Sequence, residues 1–359
     1  MRRLTLAIAA LGLLAARAEA QQPTVSPALQ QLLQRDTVVT TWFFGARDRS
    51  LDEVRAAVSG LGGRVRRSSR WLHAVSAVVS TADLRRASTS SEFRHLQPVA
   101  RFRGRPEEAR AVPYLAPPAV AAANLDSLYG PSAAPLRQLD LFPLVDQGIR
   151  GSGVTIGVLD TGFETGNPAF DSATVIAQWD FVFDDSTVAN EPADVPSASQ
   201  HGTETWSLLA ANLPTQIIGV APEADYILLK TEDVRSETRV EEDNWVAALE
   251  WADSIGVDVV SSSVGYLDFD DGFSYAPEDL NGDVAVTTVA ADSAAARGIL
   301  VVAAMGNNGP GFRTMITPAD GDSVLSAGAV DTLGVIAPFS SRGPTADGRL
   351  KPDLAFYRI

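Results

Sequence analysis

The chain of 359 residues contains no cysteine, so disulfide bonds, thiolate metal sites and a cysteine nucleophile are excluded. It also lacks any apolar run near the ~18 residues that a membrane-spanning helix needs. The net charge is −15 at pH 7, which argues against a nucleic-acid backbone as a partner. The remaining composition, 45% hydrophobic and 20% charged residues, is globular, and the length predicts two to three domains of roughly 100–200 residues.

The charge is distributed unevenly between two parts of the chain. Residues 21–110 contain 15 arginines and 8 acidic residues, a net charge of +7, whereas residues 111–359 have a net charge of −24. Opposite fields of this size favour docking of one part on the other. Two independently solvated surfaces would have the same composition, so the sequence leaves both arrangements open.

Residues 1–20 have the three parts of a secretory signal peptide. Met1-Arg2-Arg3 is basic, residues 4–16 are apolar, and Ala18-Glu19-Ala20 is a small-x-small cleavage site. An N-terminal anchor is the alternative, but the apolar run is too short for a stable span. We therefore expect a secreted, extracytoplasmic protein with no membrane association after cleavage.

Residues 21–105 predict a small α+β domain of the ferredoxin-like type. Apolar spacing and turn residues give the order strand, helix, strand, helix, strand, placed at residues 37–44, 51–61, 71–79, 80 onward and 96–102. Residues 106–135 then contain six prolines and many alanines, a composition that predicts an exposed linker.

Residues 136–359 predict an α/β domain. Near-continuous apolar strands alternate with helices, which is typical of a parallel sheet covered on both faces. The predicted strands lie at 154–159, 217–220, 226–229, 257–261, 299–304 and 324–330, and the main helices at 240–255 and 284–296. Functional sites in such sheets form at the carboxyl ends of the strands.

Three polar residues follow strand ends or open a helix in this part of the chain. Asp160 ends the first strand, His201 precedes a predicted helix over 204–211, and Asn307 follows the strand at 299–304. An aspartate can orient an imidazole, a histidine can act as a base, and an asparagine amide can donate to an oxyanion. Each residue alone is more often a turn or cap residue, so the prediction depends on their occurring together.

At these positions the sequence resembles the subtilisin-like serine peptidases (peptidase S8). The matching segments appear in the family's order over about residues 140 to 354, and residues 37–103 resemble the inhibitory propeptide that precedes such enzymes. The segments are Val158-Leu159-Asp160-Thr161-Gly162, His201-Gly202-Thr203, Ser262-Ser263-Val264-Gly265, Ala304-Met305-Gly306-Asn307-Asn308-Gly309, Phe339-Ser340-Ser341-Arg342-Gly343-Pro344 and Lys351-Pro352-Asp353-Leu354.

The resemblance implies a three-layer subtilisin-like domain and a set of catalytic roles. Asp160 would orient and stabilise protonated His201, which would act as general base and then general acid. Asn307 would donate to the tetrahedral oxyanion. Ser263-Val264-Gly265 would pair with extended protein or peptide substrates by adding a strand. Glu204 departs from the second histidine that many members have at this place, without affecting these roles.

The family's nucleophile lies in a Gly-Thr-Ser-Met-Ala segment, and this sequence has none. After Lys351-Pro352-Asp353-Leu354 it reads Ala355 to Ile359 instead of the family's Val-Ala-Pro-Gly turn, which predicts a domain truncated before the nucleophile. Ser340 and Ser341 belong to a structural turn in the family.

The first hypothesis for the function is a secreted serine endopeptidase precursor, inactive as written, with its own propeptide as partner. The alternative is a non-catalytic pseudopeptidase that binds peptides or inhibits a related protease.

No metal-ligand spacing stands out, and no cofactor is required by the implied mechanism. Asp279-Leu280-Asn281-Gly282-Asp283 is rich in carboxylates and could hold calcium, but its glycine is misplaced for an EF-hand loop. A solvated acidic loop is the favoured interpretation of this segment.

Overall fold

The computed structural model describes residues 22–99 and 124–357. The predicted signal peptide and residues 106–123 of the predicted linker lie outside these ranges. No helix among the described residues is both long enough and apolar enough to cross a membrane.

The N-terminal domain is a five-stranded sheet covered by helices on one face. Its antiparallel strands β2 to β5 have the spatial order β5-β2-β4-β3, with the short β1 beside β5. This order is ferredoxin-like, as the resemblance of the predicted elements suggested, but the sequence predicted only three of the strands and neither β1 nor β3. The elements are β1 Thr24–Val25, α1 Pro27–Leu32, β2 Val38–Gly45, α2 Leu51–Gly60, β3 Arg64–Ser69, β4 Ala74–Ser80, α3 Thr81–Ala87 and β5 Phe93–Val99.

Three short helices connect the two domains: α4 Asn124–Tyr129, α5 Ala133–Gln138 and α6 Phe142–Asp146. The prediction of an exposed linker is therefore wrong for residues 124–135. Within these residues Tyr129 is buried, in a small apolar cluster with Leu136, Phe142 and Ile218. Proline 131 lies in the first turn of a 3-10 helix over Gly130–Ser132, where its missing N–H costs no hydrogen bond. Proline content alone thus misidentified a packed segment.

The C-terminal domain contains a parallel sheet of seven strands in the order β14-β13-β12-β11-β6-β10-β7. It agrees with the predicted α/β class, with added edge strands that the sequence did not reveal. The elements are β6 Thr155–Asp160, β7 Thr174–Asp180, α7 Gln200–Ala210, β8 Asn212–Leu213, β9 Ile217–Ile218, β10 Asp225–Lys230, α8 Val240–Ile255, β11 Val259–Ser262, α9 Val286–Ala295, β12 Leu300–Ala304, β13 Leu325–Val330 and β14 Leu354–Tyr357.

Helices cover both faces of this sheet and make three layers. Side chains of successive strand residues point to opposite faces, so Leu228 packs with Trp206 of α7 whereas Leu229 packs with the helices α8 and α9. Trp245 and Leu249 of α8 are fully buried on that second face. Burial on both sides explains why the central strands are almost entirely apolar.

The N-terminal sheet packs on the outer side of α8 and α9. Along β2, Phe43 points into the core of its own domain, while Trp42 and Phe44 join the apolar cluster that contains α8 and α9. Both faces of this small sheet are therefore buried, one by its own helices and one by the C-terminal domain. Apolar burial is the main favourable term for such docking.

Polar contacts within this interface match the charge split seen in the sequence. Asp243 of α8 accepts a hydrogen bond from Ser76 Oγ at 2.9 Å and pairs with Arg66. Glu250, two turns further along α8, accepts from the backbone N–H of Arg70 at 3.0 Å and from the Ser69 hydroxyl. The sequence left open whether the basic and acidic parts dock or are solvated independently, and in the structure residues 66–76 of the basic part contact α8 of the acidic part.

Candidate active site

Asp160 is fully buried at the carboxyl end of β6. Its Oδ1 accepts the backbone N–H of Thr161 at 2.8 Å, and its Oδ2 accepts the Thr205 hydroxyl at 2.9 Å. Nδ1 of His201 lies 2.6 Å from Oδ1, and 47% of the His201 side chain is exposed. The arrangement holds a buried carboxylate behind an imidazole that faces the solvent.

His201 is the second residue of α7, and Gly202 allows this helix to approach β6. A Cβ at position 202 would lie 2.2 Å from the carbonyl oxygen of Gly162 and 3.0 Å from Cβ of Asp160. Real Cβ atoms do not tolerate a 2.2 Å contact with a backbone oxygen. The sequence His-Gly therefore brings the imidazole within hydrogen-bond reach of Asp160.

The start of α7 is also fixed to the loop that follows β6. The Thr203 hydroxyl donates to the Ser199 carbonyl at 2.6 Å and accepts the backbone N–H of Glu164 at 2.9 Å. The Ser199 hydroxyl donates to Glu164 Oε1 at 2.5 Å. These bonds restrain both ends of the Asp160–His201 contact, so its geometry does not depend on one side-chain rotamer.

Residues 263–265 continue β11 at the same level of the sheet as Asp160. In register, Ser262 of β11 pairs with Leu159 of β6, so Ser263 follows where Asp160 ends its strand. The segment is partly exposed. Gly265 lies against the neighbouring backbone, where a Cβ would be 2.4 Å from the Thr317 carbonyl oxygen. An extended segment at a strand end can pair with an added peptide strand.

Asn307 follows β12, the next strand outward, and its side chain is exposed. Gly306 before it has a φ of +99°, a conformation that favours glycine and turns the chain at the sheet edge. Asp160, residues 263–265 and Asn307 therefore lie at the carboxyl ends of the neighbouring strands β6, β11 and β12, as parallel topology requires. The contact between Asp160 and His201 is the one that the structure shows directly.

Ser340 and Ser341 have structural surroundings. Both are buried, with 3% and 1% exposure. The Ser340 Oγ accepts the backbone N–H of Ala329 at 3.0 Å, and the Ser341 Oγ accepts that of Asn308 at 2.9 Å. Ser341 thus braces the turn that carries Asn307. Neither hydroxyl is presented as an exposed nucleophile.

A further acid, Glu232, interacts electrostatically with Asp160 and His201. It is 7% exposed, and burial raises its pKa to about 7, with the Asp160 charge adding to the increase and His201 opposing it. Tyr266 donates its hydroxyl to Glu232 Oε1 at 2.7 Å. The motifs predicted from sequence did not include these two residues, because neither lies in a recognisable segment.

Among the described residues, Asp180, Asp185 and Glu191 form one group of carboxylates with oxygens within 4.8 Å of one another. Their chemistry suits a hard cation such as calcium. The buried Lys230 already places its ammonium group 2.8 Å from Asp180 Oδ2, so a bound cation would compete with that charge. In residues 279–283, for which the sequence favours a solvated acidic loop over a calcium site, Asp279 Oδ2 accepts the backbone N–H of Ala276 at 2.9 Å.

The pair of Asp160 and His201 can carry out general base catalysis. A proton on Nδ1, shared with the buried carboxylate, leaves Nε2 as the basic nitrogen. The carboxylate then stabilises the imidazolium that forms when Nε2 takes a proton. The site needs a hydroxyl nucleophile near Nε2 to become an acyl-transfer centre.

Comparisons of the sequence with known proteins all match one family of peptidases. The model of the subtilase family, peptidase S8, matches residues 151–357. Subtilisin E of Bacillus subtilis (strain 168) is 30% identical over 216 residues, which are 59% of this chain and 50% of that protein. The human membrane-bound transcription factor site-1 protease is 29% identical over 222 residues, 60% of this chain and 18% of that protein. The chain thus spans about half the length of Subtilisin E.

Two solved structures share the fold. Fervidolysin from Fervidobacterium pennivorans, described as a keratinolytic enzyme related to subtilisin, superposes with a TM-score of 0.62 and 20% identity, covering 90% of this chain and 49% of that one. The epidermin leader peptide processing serine protease of Staphylococcus aureus gives a TM-score of 0.62 at 16% identity, covering 89% of this chain and 75% of that one. At these identities the likeness supports the architecture alone.

Proposed function

The chain belongs to the subtilase family, and from that premise we propose that it is the propeptide and the larger part of the catalytic domain of a secreted serine endopeptidase. The observation that carries the proposal is the 2.6 Å contact between Nδ1 of His201 and the buried Asp160. The sequence contains no Gly-Thr-Ser-Met-Ala segment, and the proposed reaction requires a serine hydroxyl near Nε2 of His201.

In the proposed reaction, Nε2 of His201 takes the proton of the serine hydroxyl as that oxygen attacks the scissile carbonyl. The buried Asp160 stabilises the imidazolium, which then protonates the leaving amine. The exposed Asn307 donates to the oxyanion, a contribution worth about 10²–10³ in turnover. Residues 263–265 hold the substrate as an added strand, so the substrates are proteins or peptides in extended conformation.

The N-terminal domain has the role of an inhibitory propeptide in this proposal. Its support is the interface with α8, where Asp243 and Glu250 bind backbone and side-chain donors of residues 66–76. A domain that buries its sheet face on the catalytic domain remains attached until it is cleaved or unfolded. The signal peptide pattern of residues 1–20 supports export of this precursor.

The test is to read the coding DNA beyond codon 359 in all frames and to express both the 359-residue chain and the longer one. We expect no measurable casein hydrolysis by the 359-residue chain. The longer chain should be active, and His201→Ala in it should lower turnover by about 10⁶. Strong activity of the short chain that disappears in Ser341→Ala would contradict the proposal.

The absence of the serine segment also favours a second candidate, a pseudopeptidase that binds peptides or inhibits a relative. The same experiment separates the two. If no reading frame beyond codon 359 encodes a Gly-Thr-Ser-Met-Ala segment, the endopeptidase proposal fails and peptide binding by the intact cleft becomes the function to measure.

A further inference from the structure

Glu232 and Tyr266 form a buried hydrogen-bonded pair beside the candidate active site. The Tyr266 hydroxyl donates to Glu232 Oε1 at 2.7 Å, and the Thr231 hydroxyl donates to the same oxygen at 2.7 Å. Tyr266 is completely buried and Glu232 is 7% exposed. A buried carboxyl group with two donors on one oxygen is held in a single position.

Glu232 and Tyr266 lie in different segments, and backbone hydrogen bonds hold each segment in the site. Thr231, next to Glu232, donates its backbone N–H to the carbonyl oxygen of Asp160 at 3.0 Å. Tyr266 directly follows Gly265, and its backbone exchanges hydrogen bonds with Thr317 at 2.9 and 3.0 Å. The side-chain bond therefore links the strand end that holds Asp160 to the segment 263–265.

Glu232 also faces charged and titratable groups from several elements. These groups are Asp160 of β6, His201 of α7, Tyr266, Glu237 in the loop before α8, and Glu241 of α8. Positive His201 lowers the pKa of Glu232, and by linkage an ionised Glu232 favours protonated His201. Its burial keeps this interaction only weakly screened by salt.

We propose that Glu232 and Tyr266 are positioning residues, which hold the substrate-binding segment 263–265 in register with Asp160 and place a second carboxyl group, after that of Asp160, near the catalytic histidine. This inference rests on the proposed function for the roles of Asp160, His201 and residues 263–265. The link itself is a property of the folded chain and can be measured without any catalytic activity.

The experiment is an NMR titration of the histidine ring protons in the 359-residue chain. Its three histidines, His73, His95 and His201, give few signals, and His201→Asn identifies the one of interest. In the native chain we expect ionisation of Glu232, whose pKa burial raises to about 7, to affect the His201 titration. Glu232→Gln should remove this effect and lower the His201 midpoint by about 0.5 unit, the scale of one lost neighbouring charge.

Tyr266→Phe provides a second, independent change. Loss of the hydroxyl removes a donor that lowers the pKa of Glu232, so Glu232 stays neutral to higher pH. The midpoint of His201 should then also fall, by less than in Glu232→Gln. A purely structural role of the pair would leave this midpoint unchanged in both variants.

The chain offers a matched control in the pair Tyr275 and Glu242, whose hydroxyl and carboxyl groups are also buried and 2.7 Å apart. Tyr275→Phe and Glu242→Gln should leave the His201 midpoint as in the native chain. An unchanged His201 titration in folded Glu232→Gln, or equal shifts in the control variants, would overturn the inference. Failure of the proposed function would appear separately, as an inactive longer chain with the NMR result intact.

Discussion

At the scale of single residues, Gly202 decides whether the catalytic pair can form. It is the third residue of α7, where alanine would ordinarily stabilise the helix by roughly 0.5–1 kcal/mol. Here the added Cβ would lie 2.2 Å from the Gly162 carbonyl oxygen. Overpacking against backbone costs about 1–3 kcal/mol or more, so the steric effect outweighs helix propensity.

We therefore expect Gly202→Ala to lower the free energy of unfolding by about 2 kcal/mol, measured by urea denaturation. It should also push His201 away from Asp160. The matched control is Gly166→Ala in the neighbouring loop, where a Cβ would meet nothing within 4 Å. Equal stability of Gly202→Ala and Gly166→Ala would show that α7 can shift without cost.

At the scale of elements, the docking of the N-terminal sheet on α8 depends on Asp243. Asp243→Asn removes the negative charge from a fully buried position, while Arg66, only 12% exposed, keeps its positive charge. Breaking a buried pair from one side is costly, about 3–5 kcal/mol, because the other charge stays desolvated. We expect faster amide hydrogen exchange in β3, β4 and the outer face of α8 of the intact chain.

The control for this prediction is Glu223→Gln. Glu223 pairs with Arg150 at 3.1 Å in the same domain, but 50% of its side chain is exposed, and such surface pairs contribute only about 0–1 kcal/mol. Exchange at the interface should be unchanged in this variant. Unaltered exchange in Asp243→Asn would mean that the docking does not depend on Asp243 and that the remaining contacts, including the packing of Trp42 and Phe44, hold the domains together.

Helices and strands with a clear apolar periodicity and a local stop signal were predictable from the sequence. Those that form only because of contacts with distant residues were not. The helix predicted over 240–255 is observed as Val240–Ile255, since its apolar face and its stop at Gly256 are both local signals. The strand β3, Arg64–Ser69, was missed because its arginines and serines have no apolar alternation. Its partners are β4, which follows it along the chain, and Asp243 and Glu250 of α8, which are 177 and 181 residues away from the β3 residues that they contact.

The same distinction applies to the site. Asp160 and His201 lie in recognisable segments, and their contact follows from the topology of a parallel sheet. Glu232 could not be predicted, because its significance comes from burial beside Tyr266 and from the field of Asp160. A charged residue in the segment Thr231-Glu232-Asp233 is typical of a solvated loop until the tertiary contacts are known.

At the scale of the whole molecule, the buried acids give the stability an unusual dependence on pH. Burial raises the pKa of Glu241 and Glu242, and that of Glu232 to about 7 from an ordinary value of 4.5. Between pH 4.5 and about 7 the folded state retains the Glu232 proton that the unfolded state has lost. The contribution of Glu232 to stability is therefore complete below pH 4.5 and is lost as the pH rises through about 7, and Glu241 and Glu242 act in the same direction.

Ion-paired carboxylates act in the opposite direction at low pH. Hydrogen bonds from Arg349 and Thr345 lower the pKa of Asp347 to about 2, and Lys351 and Ser326 help to lower that of Asp353 despite its partial burial. Such groups stabilise the fold above pH ~4 and lose that contribution as the pH falls toward 2. The buried acids lower the stability at high pH and the paired carboxylates lower it at low pH. We therefore expect the greatest stability at mildly acidic pH.

We therefore expect the free energy of unfolding, from urea denaturation of the intact chain, to be larger at pH 5 than at pH 8. Glu232→Gln should reduce this difference by up to about 3 kcal/mol, since the amide has no proton to lose and the shift of Glu232 sets the upper limit. Glu278→Gln at an exposed position should leave the difference unchanged. A native chain that is as stable at pH 8 as at pH 5, or more stable, would show that the buried acids Glu232, Glu241 and Glu242 do not control the pH dependence of its stability.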